Sequence, residues 1–302
     1  MNYHEFIMKC MEGIKPRLSD GEEIESYKTL KNNDIIYQGL LFKNSKTNAS
    51  PIIYLEPYYD LYQKGHSLEC IIDHIWTAYH EVLPQKKIRL DYFRDFDKLK
   101  EHIFYMLINY EKNKNRLHDV PHVRFFDLAI VFYYQCYFED LGEGTILIHN
   151  QHLNFWNITA AEVEKVAKIN TPKLFPPMFC TLDQMLANLD TASDCYVQYK
   201  SPLYFLSNQE KTFGASAILY PEMLSTIGDF FQKSFYILPS SIHECLILPE
   251  DVTTAYFKVQ LHNMIAIINC TGLPKDEILS NYPLFYNYQT KTLRQITEEE
   301  LR

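Results

Sequence analysis

Between residues 236 and 244 the chain reads Tyr-Ile-Leu-Pro-Ser-Ser-Ile-His-Glu, an apolar run that ends in two hydroxyls, an imidazole and a carboxylate. Polar groups at the end of a strand commonly face a cleft. With residues 241–245 extended, Ser241, His243 and Cys245 share one face and Glu244 takes the other. Ser241 or Ser240 is then a candidate nucleophile and His243 its general base. Glu244 or a distant carboxylate would orient the ring, which is the division of labour of acyl-transfer hydrolases. Such a site also needs paired N–H donors for the oxyanion, and the chain has no G-x-S-x-G turn to form a nucleophile elbow. The competing reading is structural. Ser240 and Ser241 fit a turn whose hydroxyls bond nearby backbone, and His243 and Glu244 fit groups paired in the core. Cys245 as a Cys–His nucleophile is a further option. Ser240, Asn208 and Gly214 are candidate ligand-binding positions.

Other clusters carry less chemistry. His118, His122 and Asp127 lie within ten residues. Pro121 interrupts the His-x-x-x-His spacing, however, so it is neither a helix face nor a tight knuckle. A loop capping the apolar segment that follows, with Asp127 bonded to backbone, accounts for it. His149 and His152 flank a strand end and read the same way. Lys211-Thr212-Phe213-Gly214-Ala215 lacks the Gly-Lys pair of a phosphate loop. No metal and no cofactor is expected.

The formal net charge of −9 argues against a nucleic-acid binder that works through phosphate contacts. One stretch runs against that sign: Lys86–Arg116 holds nine basic residues among five acids. A solvated helix face with ion pairs explains it, and a phosphate- or nucleic-acid-binding stripe is the alternative. The seven cysteines form no C-x-x-C pair and are odd in number, so neither a disulfide framework nor a zinc ribbon fits. Met1–Met11 mixes His4, Glu5 and Lys9 with apolar residues and lacks a signal-peptide core. No run of about 18 apolar residues exists to span a membrane. A cytoplasmic location is therefore expected. The hydrophobic fraction of 47% against 22% charged residues belongs to a folded chain and excludes intrinsic disorder. The 23 Tyr and 19 Phe are read chiefly as composition bias, with a Tyr-rich binding surface as the alternative.

The elements that must position these residues follow from periodicity. An amphipathic helix is expected over 3–18, ended by Pro16. Three short strands follow over 23–30, 35–43 and 51–55, forming an antiparallel meander. Ser67 should cap a helix that Pro84 closes, and a second helix is expected over 95–114 with Phe96, Leu99, Ile103, Met106 and Leu107 as its stripe. Residues 125–138 are apolar on most sides and fit either a buried helix or a long strand. Then come a strand at 145–149 and a helix to about Ile169, stopped at Pro172. An irregular stretch over 171–200 holds a short helix near 182–189, and a strand follows at 203–207. A helix opens at Pro221, strands lie at 235–238 and 244–248, and a helix runs from Asp251 to about Ile268, followed by a polar tail. The fold class is α+β: an antiparallel N-terminal meander with helices over 1–142, joined to a mixed α/β half over 143–302.

Several segments together resemble an uncharacterised domain-of-unknown-function family from Gram-positive gut anaerobes. They are Ile108-Asn109-Tyr110-Glu111-Lys112-Asn113, Asp119-Val120-Pro121-His122, Phe126-Asp127-Leu128-Ala129, Leu206-Ser207-Asn208, Phe213-Gly214-Ala215 and Leu238-Pro239-Ser240-Ser241-Ile242-His243-Glu244. The Pro-Ser-Ser-Ile-His-Glu run is the most specific of them, and the resemblance covers nearly the whole chain. It implies a cytosolic bacterial or phage-borne protein and no particular activity. The family commonly has an aliphatic residue where this chain has Cys245, which counts against that thiol as a shared nucleophile. The function expected is a non-enzymatic interaction or ligand-sensing protein, with a protein partner or small ligand. A Ser/His hydrolase at Pro239–Glu244 is the alternative, and phosphate or nucleic-acid binding through Lys86–Arg116 the second.

Overall fold

The computed structural model describes residues 1–83, 91–138, 142–187, 202–250, 255–297 and 300. The chain is α+β. Its contacts divide it into two compact units, one of residues 1–95 with 135–145 and one of residues 96–134 with 146–302.

In the first unit, α1 (Tyr3–Ile14) starts at a capping box in which Asn2 and Glu5 satisfy each other's backbone N–H. The meander follows as β1 (Glu22–Leu30), β2 (Ile36–Asn44) and β3 (Ile52–Tyr54), paired in that order and antiparallel. Two helices come next, α2 (Glu56–Gln63) and α3 (Leu68–Glu81). The Ser67 hydroxyl accepts the Cys70 N–H at 3.3 Å and so caps α3. The apolar stripes of α1 and α3 meet the inward residues Leu40 and Phe42 of β2 in one core, where Phe42 and Tyr79 stack at 4.0 Å.

The second unit begins with the short α4 (Phe96–Leu99) and then β4 (Ile103–Asn109). The helix expected over 95–114 is corrected here. β4 is a strand, and β6 (Leu128–Phe138) pairs with it antiparallel from Ile103↔Tyr134 to Asn109↔Leu128. Phe104 and Ile108 belong to cores on one face of β4, while Tyr105 and Leu107 are buried on the other. A strand covered on both sides shows no polar alternation, and any unbroken apolar run also fits a helical stripe. The same burial explains why 125–138 left helix and strand open. α5 (Lys114–Leu117) and β5 (His122–Phe125) lie between, and the sheet order is β4-β6-β5, with β7 (Gly142–Leu147) also on β6.

After α6 (Asn150–Trp156) comes α7 (Ala160–Leu174), which Thr159 and Glu162 open with a capping box. It continues through Pro172 instead of stopping there. Its Thr171 hydroxyl accepts the N–H of Tyr105 at 3.1 Å, and Asn170 Nδ2 donates to the carbonyls of Lys100 and Ile103. These side chains dress the edge of β4, which ties the last turn of α7 down.

β8 (Pro177–Thr181), in the stretch expected to be irregular, forms the edge of a six-stranded sheet, and α8 (Leu182–Ala187) follows it. The sheet continues through β9 (Tyr204–Asn208), β10 (Phe235–Leu238) and β11 (Cys245–Pro249), with α9 (Met223–Phe231) before β10. α9 begins at Met223 instead of Pro221, because Glu222 takes the cap position. α10 (Ala255–Thr271) packs Leu261 and Ile265 against the sheet. The expected opening at Asp251 lies outside the described residues. The segment read as a polar tail supplies β12 (Leu284–Asn287) and β13 (Thr292–Gln295). The order is β13-β12-β10-β11-β9-β8, and every pairing is antiparallel. Among the described residues no helix is long and apolar enough to cross a membrane.

Candidate functional site

β10 ends at Leu238, and the chain turns through Pro239 and Ser240, whose N–H donates to the Leu238 carbonyl at 3.0 Å. The next residues do not fan into a cleft. They pair with segment 277–280: Ile242 N–H donates to Glu277 O, Leu279 N–H to Ser240 O and Ser280 N–H to Pro239 O, all at 2.8–2.9 Å. Ser241 is 1% exposed. Its Oγ accepts the backbone N–H of His243 at 3.0 Å, a local turn of the kind serine favours. It also bonds to the carboxyl of Glu244.

Phe213, thirty residues earlier, fixes the imidazole. Its N–H donates to His243 Nδ1 at 3.2 Å, and the two rings stack 12° apart with centroids separated by 5.8 Å. A neutral ring that accepts at Nδ1 carries its proton on Nε2. That nitrogen lies 3.9 Å from Glu277 Oε1, with the His243 side chain 28% exposed. Burial pushes the Glu244 carboxyl above the usual carboxylate range. The Ser241 hydrogen bond and His243 oppose the rise and Glu277 adds to it. Among the described residues, the hydrogen bonds of Ser241 join it to the backbone of His243 and to Glu244, not to the imidazole.

The remaining sequence candidates form the floor beneath this turn. Ser207 Oγ donates to the His243 carbonyl at 2.7 Å, and Asn208 closes the 208–212 turn through both of its amide atoms. Gly214 passes so close that a Cβ there would meet Ser207 Oγ, and would lie 2.6 Å from both Asn208 N and His243 O. Cys245 is fully buried and burial holds its thiol well above the usual range, so it stays protonated.

A second knot lies at the β5–β6 turn, where Phe126 takes a positive φ. The Asp127 carboxylate accepts Ser280 Oγ at 2.7 Å and Gln295 Nε2 at 2.6 Å. Burial raises its pKa against those bonds and nearby Lys112. Asn109 Nδ2 donates to Leu279 O, and Asn113 Nδ2 to Asn109 O. The Asn109–Asn113, Asp127, Leu206–Asn208, Phe213–Ala215 and Pro239–Glu244 segments thus join, in part through residues 277–280, in one hydrogen-bonded net.

The histidines take local partners: His122 Nδ1 bonds Val120 O, His149 Nδ1 lies 2.9 Å from Asp119 Oδ2, and His152 Nδ1 accepts the His149 N–H at 3.1 Å. Among the described residues no group of three or more His, Cys, Asp or Glu side chains is arranged to hold a metal ion. Of the basic stretch, Lys86, Lys87 and Arg89 lie outside the described residues, while Lys100 and Lys114 pair with Asp97 and Glu111.

One concave feature escaped the sequence reading. A cavity of about 270 Å³ is lined by Tyr105 on β4, Ile130 and Phe132 on β6, Glu164 and Lys168 on α7, and Leu219 and Pro221 from the segment before α9, where Leu219 ends a 3-10 turn. The register places Tyr105 opposite Phe132, so both project to the same face. Its charged lining residues are Glu164 and Lys168, which pair at 2.7 Å one helical turn apart, and the rest is aliphatic or aromatic. Only that i,i+4 pair was visible in the sequence, and such pairs are ordinary on helices.

The chain matches no curated protein and no solved structure. A model of a family of unknown function matches residues 3–289, from α1 through β12.

Proposed function

The chain belongs to DUF5688, a family of unknown function, and from that premise we propose that it is a non-enzymatic ligand-sensing protein that holds a small apolar molecule in the cavity on β4 and β6. The observation that carries this reading is the cavity itself. Its volume of about 270 Å³ lies near the ~300 Å³ lower end of small-molecule pockets and well above the ~150 Å³ that suffices for benzene. Apolar walls with a few polar groups at one side are the usual composition of such sites.

The bonding around Ser241 favours this reading over the hydrolase. A nucleophile needs its proton acceptor within hydrogen-bond reach, and Ser241 is sealed and committed to the His243 N–H and to Glu244. In this reading Ser241, His243 and Glu244, with Ser240, Asn208 and Gly214, hold the loops together and do not react. The six described cysteines are free thiols, which supports a reducing, cytoplasmic setting.

Toluene tests the reading. The melting temperature of the full chain should rise saturably with toluene concentration. Leu219→Trp, which fills the mouth from a half-buried position, should remove the rise. A melt that ignores toluene overturns the proposal.

A further inference from the structure

We infer that the cavity takes an apolar α-amino acid as its zwitterion, an inference that rests on the ligand-binding reading above and names the ligand class. The charged part of the lining consists of one acid and one base, Glu164 and Lys168. They are successive residues on one face of α7, with Nζ 2.7 Å from Oε1. The pair uses one carboxylate oxygen and one ammonium proton, and neither residue has a further partner among the described residues. The Glu164 side chain is 26% exposed and Lys168 62%, so both charges stand where the cavity meets water and keep part of their hydration.

Charge complementarity then selects among small apolar molecules. The rim is neutral as a whole. A lone carboxylate is attracted by Lys168 and repelled by Glu164 one turn away, and a lone amine meets the reverse, so the two effects largely cancel. A molecule that carries both charged groups on one carbon gives its carboxylate to Lys168 and its ammonium to Glu164, so each meets its opposite. Its side chain then lies against Tyr105, Ile130, Phe132, Leu219 and Pro221. A cavity of about 270 Å³ accommodates one branched or aromatic side chain but not a peptide or a lipid chain.

The test uses the full chain and four probes of one skeleton: L-phenylalanine, hydrocinnamate, phenethylamine and toluene, titrated by calorimetry. L-phenylalanine is expected to bind about tenfold tighter than each of the other three, two partly exposed charge contacts being worth roughly that factor. Lys168→Met should erase its advantage over phenethylamine, and Glu164→Gln its advantage over hydrocinnamate, with toluene binding unchanged in both. Hydrocinnamate or phenethylamine binding as tightly as L-phenylalanine overturns the zwitterion, as does equal binding of all four, while both results leave the cavity as a ligand site. Failure of all four probes, toluene included, overturns the cavity reading and this inference together.

Discussion

Phe213 holds His243 from two directions, donating its backbone N–H to Nδ1 at 3.2 Å and lying parallel to the imidazole. The loop after β9 and the turn after β10 are locked together by this contact. The adjoining bond from Ser207 Oγ to the His243 carbonyl strengthens the lock. An imidazole so engaged serves as an acceptor for main chain, and its protonated Nε2 points toward Glu277.

Replacing His243 should therefore cost stability. His243→Ala leaves the Phe213 N–H without its acceptor, and an unmet donor costs about 1–3 kcal/mol. Urea unfolding should detect the loss. A hydrolytic turnover that both His243→Ala and Ser241→Ala abolish would instead vindicate the Ser/His alternative, since loss of a triad member removes several powers of ten in rate.

Thr171 offers a cleaner isosteric test. Its hydroxyl accepts the Tyr105 N–H on the edge of β4 and donates to Ala167 O within α7. Thr171→Val keeps the shape and removes the acceptor, so the fold should lose about 1–3 kcal/mol. Thr171→Ser should retain most of the stability. Equal unfolding midpoints for the valine variant and the parent would show that the edge of β4 needs no cap.

Asp127 and Glu244 should each contribute a loss of stability as pH rises out of the acid range. Burial raises the folded-state pKa of both Asp127 and Glu244. For an acid shifted upward, the folded chain keeps its proton to higher pH than the unfolded one. The penalty is absent below the unfolded values of about 4. It grows as pH climbs from there through the folded values, because the unfolded state releases its protons first. Asp127→Asn and Glu244→Gln should each remove their share of that decline above about pH 4, measured as urea midpoints against pH. Parallel curves for parent and variants would contradict the assignment.

Sequence by itself determined what depends on near neighbours. The Asn2–Glu5 and Thr159–Glu162 capping boxes, the Ser67 cap and the β1–β3 meander follow from residues three or four apart or from alternation along one strand. So does the Ser241 hydroxyl closing onto the His243 N–H two residues on. Tertiary structure alone decided what depends on distant partners. β4 is a strand because β6 covers its hydrogen bonds and cores cover both its faces, and neither fact is written into the run Ile103–Asn109. Phe213 claims His243 across thirty residues, and Ser280 claims Asp127 across more than a hundred. The cavity unites two strands, one helix and the segment before α9, which lie far apart in the sequence. A local pattern records which faces must be buried, but burial carries no direction of its own, so the choice of partner is left to packing.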